Sequence, residues 1–290
     1  MVRRIFLITF ALILSAIFGH QSTAAEITCI SAWGNRVTED NNYKPHFEDR
    51  FPSGRRPKPT TCQEILIKGE IASGDSSKFA RIVRDNHPFL DQVTLWSSGG
   101  LVEEALKIGQ LIRKAMLKTY SPIVWGYNFG SDGVGRLDST EFTPVCKGAT
   151  CNCASACALI WAAGITRGGG LVGLHRPSIQ STSFANLPPD QASILYRKLL
   201  RVIEQYLIEM EVPSRFMEMM TDTSSTDIRW LDIKESTQLE EVPSIAEWIT
   251  ASCGGTFHST LLSDNSSQVA TCEAKKIDMA RDSISVVSGN

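Results

Sequence analysis

Hydrophobic positions along this chain alternate between a period near two and a period near 3.6, and their order predicts an α/β fold. Ile65-Leu66-Ile67-Lys68-Gly69-Glu70-Ile71 is a β-branched run ending in turn residues and reads as a strand. A helix follows, capped by Asp75 or Ser76 and running to about Asn86, with Phe79, Ile82 and Val83 on one face. Val93-Thr94-Leu95-Trp96 is the next strand, and it runs into Ser97-Ser98-Gly99-Gly100. From Val102 to Leu117 the spacing is helical, with apolar residues at 102, 105, 106, 108, 112 and 116 and Gly109 on the same face. Ile123-Val124-Trp125 predicts a short strand, Ala154 to Ala163 a helix, and Leu171 to Leu174 another strand. Pro189 to Met210 predicts a long amphipathic helix with Ala192, Leu195, Leu199, Val202, Ile203 and Tyr206 inward. Pro213 opens a short helix to about Thr221. Strands alternating with helices imply parallel strands joined by right-handed crossovers.

The ends of the chain and its polar stretches set the organisation. Met1-Val2-Arg3-Arg4, an apolar run from Ile5 to Phe18 and then Ser22-Thr23-Ala24-Ala25 read as a secretory signal peptide, with cleavage expected after Ala25. An uncleaved anchor is the alternative, but the run is short for a span of about 20 residues. Arg3-Arg4 also fits a twin-arginine export signal. The remainder is expected in the periplasm or secreted. The division expected is a leader at 1–25, a loop-rich lead-in at 26–64, an α/β domain at 65–250 and a disulfide-stapled or flexible tail at 251–290. Tyr127 to Thr150 is Gly-rich and reads as an inserted surface loop.

Charge narrows the partners. The net charge is −2 and the signs are interspersed, so nothing predicts a polyanion-binding surface or a nucleic-acid partner. Arg55-Arg56-Pro57-Lys58-Pro59 reads as a solvated loop. The chain has eight cysteines, and in an exported protein disulfides are the default. Pairs 29–62 and 253–272 are expected to staple the two ends, with Cys146, Cys151, Cys153 and Cys157 forming two local bridges. A zinc site is the alternative for those four, although C-x4-C-x-C-x3-C is not a usual zinc spacing. A cysteine nucleophile, Cys153 or Cys157 with His175, is a third.

The chemistry concentrates in Cys153-Ala154-Ser155-Ala156-Cys157-Ala158-Leu159-Ile160-Trp161-Ala162-Ala163-Gly164 and in Gly173-Leu174-His175-Arg176-Pro177. A serine stands among small residues at a helix start, and a histidine ends the next apolar strand. Serine needs a nearby base to act as a nucleophile, and neutral imidazole is the usual one. A helix start supplies free N–H groups that can hold an oxyanion. A simple N-cap at Ser155 and a structural histidine at 175 are the plain alternatives.

Four motifs stand in one order: Ile67-Lys68-Gly69-Glu70-Ile71, Ser97-Ser98-Gly99-Gly100, the Ser155 helix start with Ala162-Ala163-Gly164, and Leu174-His175-Arg176-Pro177. In that order, across residues 65–231, the chain resembles the Clp protease proteolytic subunit and its relatives in the ClpP/crotonase-like superfamily. The resemblance implies a spiral of repeated strand-strand-helix units. It implies Ser155 as nucleophile, His175 as base and then acid, and the N–H groups of Gly99 and Ala156 as oxyanion hole. It implies Asp222 as the residue that orients His175, with Asp227 and Asp232 as alternatives in the stretched segment that follows. It implies a peptide or protein substrate, no metal and no cofactor, and assembly into a homo-oligomer. The ATPase partner of the cytosolic subunit is not expected, since ATP is not expected outside the inner membrane.

The departures are Ser98 in place of the first turn's proline, the cysteines beside Ser155, and the Tyr127–Thr150 insertion. The function implied is an exported serine hydrolase, most simply a peptidase. A non-catalytic binding or assembly module on the same fold is the alternative. A thioester enzyme of the crotonase branch is a third, for which the chain shows no coenzyme A motif.

Overall fold

The computed structural model describes residues 24–31, 61–122, 151–179, 182–253 and 266–283. Alternation builds the first sheet. Strand β2 (Cys62–Lys68) buries Cys62, Ile65 and Ile67 on one face, and β3 (Gln92–Trp96) is buried along most of its length. They pair in parallel, and β4 (Lys118–Tyr120) and β6 (Arg167–Gly168) extend the parallel set. Strand β1 (Glu26–Ser31) closes the other edge antiparallel to β2, giving the order β1-β2-β3-β4-β6. A disulfide between Cys29 and Cys62 staples that edge pair.

A smaller sheet carries β5 (Cys153–Ala154), β7 (Val172–Leu174) and β8 (Arg229–Trp230) in the order β5-β7-β8. Strands β5 and β7 are parallel, and β7 and β8 antiparallel. The two sheets meet where Ser97, just past β3, bridges in parallel to Cys153. The fold is therefore mixed α/β.

The helices pack as their apolar stripes direct. Helix α1 (Asp75–Asn86) buries Phe79 and Val83 and lies on β1, β2 and α2 (Val102–Lys114). Its N-cap is Gly74, with φ 89° and no side-chain cap. Asp75, expected as a cap, instead turns its carboxylate toward the N–H groups of Ala25 and Ala72. Helix α2 stops at Lys114 because Met116 takes a left-handed φ of 53°. Helix α3 (Ala156–Trp161) is buried throughout and packs on α2. The expected helix start at Ala154 is corrected: Ala154 is the last residue of β5, held by Ser97 O.

A short α4 (Thr182–Ala185) precedes α5 (Pro189–Glu209). Helix α5 buries only Ile203, Tyr206 and Leu207. Leu195 and Val202, expected inward, are 43% and 47% exposed because none of the described residues covers the outer part of this helix. Helix α6 (Ser214–Asp222), α7 (Ile233–Thr237) and α8 (Pro243–Ser252) follow.

Two arginines tie helix ends together. Arg113 Nε donates to the Ala163 carbonyl at 3.0 Å and its guanidinium to Met210 O at 3.1 Å. Buried Arg167 donates to Leu239 O at 3.1 Å and also reaches Met210 O. These carbonyls lie at or just past the ends of α3, α5 and α7, where backbone acceptors lack helical partners. Burial and the neighbouring Arg113 together push the Arg167 guanidinium below its usual value.

The segment after Ser252, expected as a disulfide-stapled or flexible tail, contains helix α9 (Ser266–Ser283). Cys253–Cys272 bonds it to the end of α8. Arg281, nearly fully buried, donates to Met116 O at 2.8 Å and to Asp91 Oδ1 at 2.9 Å. The strand expected at Ile123–Trp125, the 127–150 insertion, the leader through Thr23 and Arg55–Pro59 lie outside the described residues. No helix among the described residues is long and apolar enough to cross a membrane.

Asp91 links the tail to the domain and sets an acid limit. Burial alone would raise its carboxyl, but the Lys118 ammonium and the Arg281 guanidinium outweigh that and hold it at about 2. A carboxyl depressed in the folded state stabilises above its unfolded value, near 4, and loses that contribution as pH falls toward 2. Thermal melts are expected to show Asp91→Asn less stable than the parent at pH 6, with the gap closing by pH 2. A gap unchanged across that range would show that the pair contributes nothing.

Candidate active site

Ser155 occupies the turn between β5 and α3, with φ 58° and ψ −126°. A side chain rarely adopts that conformation, and it costs about 1–3 kcal/mol. The surroundings impose it. Ser155 N–H donates to Gly173 O at 3.0 Å, and Ser155 O accepts from Ala158 N–H at 3.0 Å. Just before it, Cys153 and Ala154 N–H donate to Leu171 O and Ser97 O. Cys153 and Cys157, both fully buried, are joined by a disulfide, so Ser155 is the middle residue of a five-residue ring. Its own side chain remains partly exposed while 153, 154, 156 and 157 are buried. Among the described residues its hydroxyl has no hydrogen-bond partner. A sharp strand-to-helix turn that lifts a hydroxyl out of a packed wall is the geometry of a nucleophile.

Gly99 lies against that hydroxyl. A Cβ at 99 would stand 2.5 Å from Ser155 Cβ and 3.0 Å from Ser155 Oγ, and its φ is 112°. Gly100 is equally confined, since a Cβ there would sit 2.2 Å from Ile71 O. Ile71 holds the turn from the other side, through Ile71 N–H to Gly99 O and Leu101 N–H to Ile71 O, both 2.8 Å. Of the two expected oxyanion donors, Ala156 N–H is at the first position of α3 and has no acceptor among the described residues. Gly99 N–H is engaged, donating to Ser97 Oγ at 3.1 Å. To serve an oxyanion it must exchange that partner.

His175 follows β7, two residues beyond the Gly173 that accepts from Ser155, so the parallel β5–β7 pairing brings Ser155 and His175 to one end of the small sheet. Its Nδ1 lies 2.9 Å from Arg176 O. A carbonyl only accepts, so in the neutral ring this contact puts the proton on Nδ1 and leaves the lone pair on Nε2, the tautomer a general base requires.

Asp222 ends α6 and is exposed. The chain on both sides of it is tied to the residue after the histidine, since Arg176 N–H donates to Thr223 O and Arg176 Nε to Thr221 O, each at 2.9 Å. The carboxylate itself makes no hydrogen bond to His175. Of the alternatives, Asp227 is exposed in a turn. Asp232 is committed to a capping box, its Oδ1 accepting Glu235 N–H at 2.7 Å.

Sequence reasoning missed three parts of this arrangement. Ser97 acts through its hydroxyl on Gly99 and through its backbone on Asn152 and Ala154, carrying the end of β3 over to the smaller sheet. The pairing of Cys153 specifically with Cys157 places the ring around Ser155; it depends on the sharp turn between β5 and α3, which no local spacing reveals. It also removes both as thiolates, for zinc or for nucleophilic attack. Cys151 is disulfide-bonded as well, and Cys146 lies outside the described residues. Gly173 is required because a Cβ there would meet Ile228 and the Trp230 ring at 2.6 and 2.8 Å.

No protein-family description and no curated protein matches the chain. Among solved structures, a mutant of ClpP1 from Listeria monocytogenes is similar, at 16% identity and a TM-score of 0.39 over 62% of this chain and 89% of that one. Chemistry does not transfer at that identity and score.

The glycine requirement is testable without any substrate. Gly99→Ala is expected to cost about 2–4 kcal/mol, from the clash with Ser155 together with the disallowed φ. Gly170→Ala, with open space around it, is expected to be neutral. Urea unfolding of the two variants reads both; equal midpoints would show that the turn yields easily.

Proposed function

We propose that this chain is an exported serine hydrolase of the ClpP/crotonase-like kind, with a spiral core, acting on peptide bonds. The observation that carries the reading is the strained, partly exposed Ser155 with glycine backbone against its hydroxyl and a base-ready His175 at the same sheet end. In the reaction proposed, His175 Nε2 takes the Ser155 hydroxyl proton as Oγ attacks the substrate carbonyl. The resulting oxyanion accepts from Ala156 N–H and from Gly99 N–H once the latter leaves Ser97. His175 then delivers its proton to the leaving amine, and water attacks the acyl-serine by the reverse sequence. Asp222 would stabilise the imidazolium by replacing Arg176 O at Nδ1. No metal or cofactor is needed.

Three disulfides fit an oxidising compartment, which supports a periplasmic or secreted location. The exposed side of α5 supports a homo-oligomer, with Ile194 and Ile208 57% and 61% exposed beside Leu195 and Val202. A peptide substrate and no nucleic-acid or ATPase partner complete the proposal.

A second reading, a non-catalytic binding or assembly module, is favoured by two observations: Gly99 N–H is occupied, and Asp222 does not touch His175. Labelling with a fluorophosphonate decides between them. The oxidised protein is expected to form an adduct mapped to Ser155 and to lose it in His175→Ala. In Cys153→Ala/Cys157→Ala, labelling is expected to slow at least tenfold with the fold retained. An inert Ser155 in folded protein sinks the hydrolase reading.

Light scattering after gel filtration tests the assembly. The parent is expected to run as an oligomer, and Val202→Asp, which puts a charge on the exposed face, as a smaller species. A monomeric parent would remove α5 as an assembly surface.

A further inference from the structure

We infer that the leader is cut between Ala24 and Ala25, one residue before the junction expected above, and that the new α-ammonium group of Ala25 pairs with the buried carboxylate of Asp75. Small residues are required at the last and third-last leader positions, and Ser22 with Ala24 satisfies this as well as Thr23 with Ala25 does. The sequence therefore permits both cuts. The structure distinguishes them.

Ala25 is 4% exposed and belongs to the hydrophobic core, while Ala24 is exposed. Ala25 N–H donates to Asp75 Oδ2 at 3.2 Å. Asp75 is fully buried at the start of α1, where Oδ2 also accepts Ala72 N–H at 2.8 Å and Oδ1 accepts the half-exposed Lys78 ammonium at 2.8 Å. A cut after Ala25 would delete a core residue and take one donor from a buried carboxylate, which is costly to leave short of partners. A cut after Ala24 keeps the methyl in place and keeps the nitrogen where it is. Hydrolysis adds hydroxyl to the Ala24 carbonyl carbon and hydrogen to the Ala25 nitrogen, which takes up a further proton at neutral pH. A neutral amide donor then becomes a charged one, and hydrogen bonds between charged groups are the stronger kind.

The pair also reaches the Ser155 turn. Asp75 fixes Ala72, and Ile71 beside it is the residue whose N–H and C=O hold Gly99 and Leu101. Processing would thus brace the backbone on which Gly99 rests, whatever Ser155 does.

The full chain with its own leader, exported from a bacterial host, is to be analysed by N-terminal sequencing and intact mass. Ala25 as first residue is expected; Glu26, or a retained leader, overturns the assignment of the cut. For the ion pair, protein beginning at Ala25 is compared with protein retaining Thr23-Ala24. The shorter form is expected to melt about 2–4 °C higher, the shift that one such interaction gives a domain of this size, and Asp75→Asn is expected to erase the gap. Equal melting of the two parent forms overturns the pair. That comparison decides even if Asp75→Asn does not fold.

Discussion

Ser97 is the residue on which both sheets turn. Up to Trp96 the main chain of β3 serves the larger sheet, and Trp96 O accepts from Gly69 N–H. One residue later Ser97 N–H donates to Asn152 O at 2.8 Å and Ser97 O accepts from Ala154 N–H at 3.0 Å, so the same strand now serves the smaller sheet. The transfer forces backbone against backbone, and side chains must be absent where it happens. Gly99, Gly100, Ala154, Ala156 and Ala158 are what that crowding selects. Ser155 is the one polar side chain left in the wall between β5 and α3, and its unfavourable φ persists because neighbours on every side over-determine it.

The motifs were legible because that crowding writes itself locally. A strand that ends in Ser-Ser-Gly-Gly and a helix start flanked by alanines are short-range signals that single out Gly99 and Ser155; the structure sets these two in contact and brings His175 to the same end of the small sheet. The short strands were not legible. β5, β6 and β8 have two residues each, too few for a period, and exist only because a neighbouring strand offers a ladder. Lys118-Thr119-Tyr120 carries no apolar run, yet β4 pairs with both β3 and β6. Asp232 was legible in principle, since Asp-x-x-Glu before a helix is a capping signal. The spacing of Leu195 and Val202 marks a face of α5 correctly, but periodicity cannot say whether the chain itself covers that face.

Long-range arginines explain a further part that no local pattern reveals. Arg113, Arg167 and Arg281 each end on backbone carbonyls far away in sequence, at 163, 210, 239 and 116. A sequence shows only three cations among many. The structure shows that each satisfies acceptors left over where an element ends, and a guanidinium can serve several at once. The base of α5 and the docking of α9 both depend on this use of charge.

The three disulfides with both partners among the described residues differ in what they can do. By loop entropy, the bridges spanning 33 and 19 residues contribute about 3–4 kcal/mol each, and the one spanning 4 residues only about 2. The short ring is thus the weakest constraint on the unfolded chain, and the placement of two buried cysteines around Ser155 is better explained by what it does to the folded one. Holding φ at 58° costs about 1–3 kcal/mol, the same size as the ring's contribution. A bond across Ser155 restrains that turn in the folded state while the remaining core maintains the fold. It also places an oxidisable pair on either side of Ser155, alongside the backbone hydrogen bonds that hold the same turn.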